Sequence, residues 1–133
     1  MLSVLTCVSG RPTLFAKHLG ALADQATPAV EYVAGMWQPI DGLREMMLSK
    51  GFGQVTSAEV PVTRWWMLPA AYNAGLSSVS GDRVLIIGSD VIAGKGLIET
   101  AQTLPLDGDA WCFRVINSDG REFVGPARRV AIP

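Results

Sequence analysis

The stretch AAYNAGLSSVSGDRVLIIGSDV, residues 70–91, decides the reading of this chain. Its first part carries Asn73-Ala74-Gly75 in a short helical pattern that opens at Pro69 and closes near Ser80. A turn at Gly81-Asp82 follows. The run Val84-Leu85-Ile86-Ile87 is then apolar at every position, as expected of a parallel strand buried on both faces. It ends in Gly88-Ser89-Asp90. A helix therefore feeds a buried strand, spanning 83–89, that delivers one acidic residue at its carboxyl end. In open α/β sheets that end is where ligands bind.

Working outward, the rest of the first hundred residues alternates in the same way. Residues 2–8 (LSVLTCV) form an apolar run closed by Ser9-Gly10-Arg11-Pro12, which predicts a strand, a turn and the start of a helix. That helix is expected over 13–25, with Phe15, Leu19, Leu22 and Ala26 as its buried stripe, and Thr27-Pro28 stops it. A second strand is predicted over 30–35. A helix over 42–50 is capped by Asp41, with Lys50 in its last turn and Gly51 at C′. A weaker third strand covers 54–60, and a fourth helix covers 97–104. Strands alternating with helices of about ten residues predict a mostly parallel sheet with flanking helices. Beyond residue 105 the pattern changes. Residues 111–117 and 121–125 flank Ser118-Asp119-Gly120, which predicts a β-hairpin, and 128–132 supplies one more edge strand.

Composition bounds the function classes. The chain has 133 residues, 49% apolar and 17% charged, which suits a single globular domain with its own core. Its net charge is −1, and Arg128-Arg129 is the longest basic run, which argues against nucleic-acid binding. No stretch reaches the roughly 18 apolar residues of a membrane span. The apolar start has no Lys or Arg before Arg11 and reads as a strand rather than a signal peptide. Cys7 and Cys112 sit in strand-like runs without a CxxC partner, as small buried hydrophobes in a reducing cytoplasm.

These residues resemble family-2 glycosyltransferases, the inverting nucleotide-sugar enzymes of GT-A fold, over residues 2–104. The family's first strand ends in a turn matched here by Ser9-Gly10-Arg11-Pro12. Its Arg-Asn-x-Gly helix is matched by Tyr72-Asn73-Ala74-Gly75, with Tyr in place of Arg. Its Asp-x-Asp metal motif is matched by Gly88-Ser89-Asp90, with the metal-side Asp kept. The family's carboxylate after the second strand has no counterpart in Val33-Ala34-Gly35-Met36-Trp37. The resemblance implies a GT-A-like core over 1–104 with a hairpin tail over 105–133. It also implies a site for a nucleotide diphosphate-sugar donor lined by Ser9, Arg11, Asn73 and Ser89. Asp90 would hold Mn2+ or Mg2+, which prefer carboxylate and phosphate oxygens.

Inverting transfer needs a base within reach of the acceptor hydroxyl. Asp109, in the pair Asp107-Gly108-Asp109, is the candidate, against a solvated turn as the plain reading. His18, the only histidine, is expected as a partly exposed helix residue rather than a base. Trp37, Trp65 and Trp66 fall in loops near strand ends, where they fill core, anchor an interface or stack on a ligand. The alternative to an enzyme is a structural or assembly subunit, of a virion or another multi-protein particle, that keeps the fold without the chemistry. Trp65, Trp66 and the hairpin would be its contacts with homo- or hetero-oligomeric partners.

Overall fold

The structure is a computed structural model that describes residues 1–8, 12–37, 40–60 and 68–105. It also describes the backbone of strand residues 109–112, 115–116, 122–124 and 128–131. The chain divides into two compact units, Met1–Gln102 and Thr103–Pro133.

The first unit alternates strand and helix as the apolar runs predict. It comprises β1 (Leu2–Val8), α1 (Pro12–Ala23), β2 (Val30–Met36), α2 (Leu43–Ser49), β3 (Gln54–Glu59), α3 (Leu68–Leu76), β4 (Arg83–Ile86) and all but the last residue of α4 (Leu97–Thr103). The four strands form one all-parallel sheet in the order β3-β2-β1-β4. Every residue of β1 and β2 is buried. Such strands need apolar side chains on both faces, which is why their sequences do not alternate.

The two faces are covered by different helices. Thr6 bonds to His18 of α1, so α1 lies on the face of Leu2, Val4, Thr6 and Val8. Phe15, Leu19 and Leu22 of α1 are buried, each contributing about 1.5–3 kcal/mol by removal from water. The opposite face, with Leu5 and Cys7, carries α3. A Cβ on Gly75 would lie 2.4 Å from a methyl of Leu5, and one on Gly35 would lie 2.1 Å from the carbonyl oxygen of Ala71. The glycine of the Asn73-Ala74-Gly75 motif therefore lets a helix settle directly on β1 and β2.

Two expectations need correction. Asp41 does not cap α2; the N-cap is Gly42 in the left-handed region at φ 71°, with no side-chain cap bond. Gly takes that conformation without the Cβ clash that Asp41 would meet. The apolar run 84–87 is not buried on both faces. Leu85 and Ile87 point inward, while Val84 and Ile86 are 41% and 53% exposed. The cause is position: among the described residues β4 is an edge strand, and α3 packs over β1, β2 and β3 instead. At the other end of α2, Gly51 has φ 106°, the expected left-handed C′.

At the amino ends of the strands, a buried polar node ties the sheet to the α3–β4 connection. Glu31 accepts bonds through Oε2 from the Ser3 hydroxyl and from the Ser80 amide, the latter at 2.9 Å. The Gly81 amide donates to Ser3 Oγ at 2.9 Å. The other Glu31 oxygen has no hydrogen-bond partner among the described residues.

In the second unit, β5 (Asp109–Cys112) pairs antiparallel with β8 (Arg128–Ala131). β6 (Val115–Ile116) pairs antiparallel with β7 (Glu122–Val124). The expected turn at 118–120 lies outside the described residues.

Close packing of α3 on the sheet makes a sharp prediction. Gly35→Ala, which meets backbone, is expected to cost about 3 kcal/mol or more. Gly20→Ala meets nothing within 4 Å on an exposed face of α1. It is expected to stabilise by about 0.5–1 kcal/mol. Urea denaturation of the two variants checks both signs.

Candidate functional site

The strand order reverses direction between β1 and β4. The chain steps from β1 to β2 to β3 on one side and then crosses back, by way of α3, to place β4 on the other side of β1. Right-handed crossovers put α1 and α3 on opposite faces for the same reason. A crevice outside the carboxyl ends of β1 and β4 follows, which is where open α/β sheets bind ligands.

Asp90 stands at that crevice. Pairing of β4 continues one residue beyond the strand, since the Ile87 amide donates to the Leu5 carbonyl at 3.0 Å. Residues 88–91 then form a turn closed by the Val91 amide on the Gly88 carbonyl at 3.0 Å. The Asp90 carboxylate folds back over Gly88, where a Cβ would come within 3.0 Å of Oδ1. Asp90 is exposed and Ser89 half-buried. Tyr72 of α3, the residue in the Arg position of the resembled motif, is half-buried nearby. Burial raises its phenol pKa, with Cys7 and the Asp90 charge adding to the rise.

Beneath the turn lies the histidine. His18 is fully buried, which corrects the expectation of a partly exposed side chain. Its Nδ1 is 2.7 Å from the Val91 carbonyl oxygen, and its Nε2 is 3.0 Å from Thr6 Oγ1. A carbonyl only accepts, so Nδ1 carries the proton and the bare Nε2 accepts the Thr6 hydroxyl. The ring also stacks on Phe15 at 5.8 Å and 19°. Burial lowers the imidazole pKa; the Val91 bond and the Asp90 charge work against that shift. The buried stripe could have shown this placement: His18 lies three residues after Phe15 and four before Leu22.

The remaining expected residues are placed as follows. Asn73 is exposed on α3, and its side chain makes no hydrogen bond to the 88–90 turn among the described residues; its carbonyl accepts from Ser77. Ser9, Arg11, Trp65 and Trp66 lie outside the described residues. Asp109 opens β5 of the second unit, and its side chain also lies outside them. Trp37 follows β2 and donates its amide to the Val8 carbonyl at 3.3 Å, which closes the carboxyl end of the β1–β2 pair.

The chemistry available follows from this arrangement. Burial pushes the Cys7 thiol up to about 12, so it is no thiolate nucleophile at neutral pH. Both nitrogens of His18 are engaged, which removes it as a base. Asp90 is left as the exposed anionic oxygen donor of the turn. Among the described residues no three His, Cys, Asp or Glu side chains converge. A cation held here would take one carboxylate from the protein and its other oxygens from the ligand and water. No helix among the described residues is long and apolar enough to cross a membrane. No protein-family model matches the chain, and no curated protein matches it in sequence.

The state of His18 predicts a pH dependence. The unfolded imidazole titrates near its ordinary 6.5, and the folded one titrates lower. Below 6.5 the unfolded chain binds the extra proton first, so stability falls as the pH drops from 6.5 toward the folded value and levels off below it. Thermal melts between pH 7.5 and 5 are expected to show this loss, and His18→Asn is expected to reduce it.

Proposed function

We propose that the chain is a glycosyltransferase-like domain that binds a nucleotide diphosphate-sugar in the crevice between β1 and β4. The observation that supports this reading is the position of Asp90, exposed on the turn after β4 at the point where strand order reverses. Asp90 engages Mn2+ or Mg2+, hard cations that a carboxylate and a diphosphate hold together. Ser89, half-buried in the same turn, lies on the ligand side, and Tyr72 is the neighbouring phenol. Ser9 and Arg11, which follow β1 in the sequence, are the contacts the resemblance assigns to the nucleotide. Transfer, where it occurs, proceeds with inversion.

One observation favours the second reading, a structural or assembly subunit that retains the fold without the chemistry. Val84 and Ile86 present apolar surface on an edge strand. Such edges pair with neighbours unless they are covered.

Calorimetric titration with UDP and GDP, with and without Mn2+, separates the two. Metal-dependent binding that Asp90→Asn abolishes, with the melting temperature unchanged, is expected. No binding at millimolar nucleotide overturns the nucleotide-site reading. A self-associated species by light scattering that Ile86→Ser dissolves and Asp90→Asn leaves intact would then support the assembly reading.

A further inference from the structure

We propose that His18 is a positioning residue that latches the Asp90 turn to the centre of the sheet, its Nδ1–H held by the Val91 carbonyl and its Nε2 anchored by the Thr6 hydroxyl. This deepens the nucleotide-site reading in what the latch serves. The latch itself stands on geometry alone.

Three elements meet at this one ring: β1 through Thr6, α1 through His18, and the turn after β4 through the Val91 carbonyl. The turn has its own backbone bond, Val91 to Gly88, which sets its shape. That bond is local and does not set where the turn sits. The His18 bond reaches across 73 residues of sequence and does. It is anchored at its other end, since Nε2 meets a hydroxyl on the central strand and the ring is stacked against Phe15.

An apolar side chain would fill the same space in the α1 stripe. It would also leave the Thr6 hydroxyl and the Val91 carbonyl without their bonds, at the cost of desolvating polar groups unpaired. Conversely, an alanine or valine at position 6 would leave the buried bare Nε2 without a donor and the ring without its anchor on β1. The Val91 carbonyl sets the Nδ1–H tautomer, since it only accepts, and the Thr6 hydroxyl adapts to it by donating to the bare Nε2. Asp90 is the residue directly before Val91. Seating Val91 therefore restricts where the Asp90 carboxylate can go. A cation site with a single protein carboxylate depends on such preorganisation, because ordering the turn at the moment of binding subtracts from affinity.

His18 is the only histidine, so its ring nitrogens give the only imidazole signals in a long-range 1H–15N spectrum. The wild type is expected to show one protonated Nδ1 and one bare Nε2; a protonated Nε2 with bare Nδ1 overturns the latch. In Thr6→Val, which keeps the shape and branching of the strand residue, Nδ1 is expected to stay protonated while the bare Nε2 signal shifts with the loss of its hydrogen bond. Unchanged signals refute the role of Thr6. His18→Leu is expected to speed amide exchange across 88–92 by about tenfold, the scale of one lost hydrogen bond. It is expected to weaken Mn2+–UDP binding to a similar degree. His18→Asn, whose amide donor overlies Nδ1, is expected to restore most of both. Exchange in His18→Leu equal to wild type, or no recovery in His18→Asn, overturns the latch. Should His18→Leu fail to fold, the Thr6→Val spectrum decides. If the wild type binds no nucleotide, the functional reading fails, and the tautomer and exchange results still judge the latch.

Discussion

The complete burial of β1 is the constraint from which the rest of the first unit follows. β1 is hydrogen-bonded along both edges, to β2 and to β4, and covered on both faces, by α1 and by α3. A strand in that position must have its neighbours delivered from opposite directions. The connections do so by running outward from β1 to β3 and then returning in one long crossover. The reversal of strand order, and with it the crevice, is a by-product of enclosing the first strand.

Enclosure also explains the polar residues. Ser3 and Thr6 are the two hydroxyls of β1, on opposite faces, and both are fully buried. A buried hydroxyl must be paired, and the two partners are a glutamate and a histidine that are themselves fully buried. Each pair reaches beyond the sheet to hold a connection. Ser3 with Glu31 grips residues 80–81 before β4, and Thr6 with His18 grips Val91 after it. β4 is thus held at both ends by side chains that are anchored on β1. This compensates for its weaker packing, with one face covered and the other open.

Much of this was legible in the sequence. The four apolar runs, the intervening helical stripes and the Gly51 C′ signal predict the elements to within a few residues, because period and punctuation are local properties. The carboxylate at the end of the fourth strand is legible for the same reason. Its neighbours are not. Tyr72 and His18 lie far from Asp90 along the chain, and only the crossover of α3 and the packing of α1 bring them to the same end of the sheet. The exposure of Val84 and Ile86 escapes sequence reading too. A run that is apolar at every position carries no alternation to say which face is covered.

By itself, the sequence determined that the first unit alternates strand and helix in the pattern of a parallel sheet, that its first two strands are buried, and that an acidic turn follows the fourth. Those features follow from side-chain polarity at short range. Tertiary structure alone decided which strand lies at the centre, which lies at the edge, and what lies beneath the acidic turn. Strand order depends on the direction of each crossover, and no local pattern encodes a direction. The buried histidine shows the same limit. Its place in the α1 stripe was readable, but its bond to Val91 exists only because the sheet sets the end of β4 beside β1.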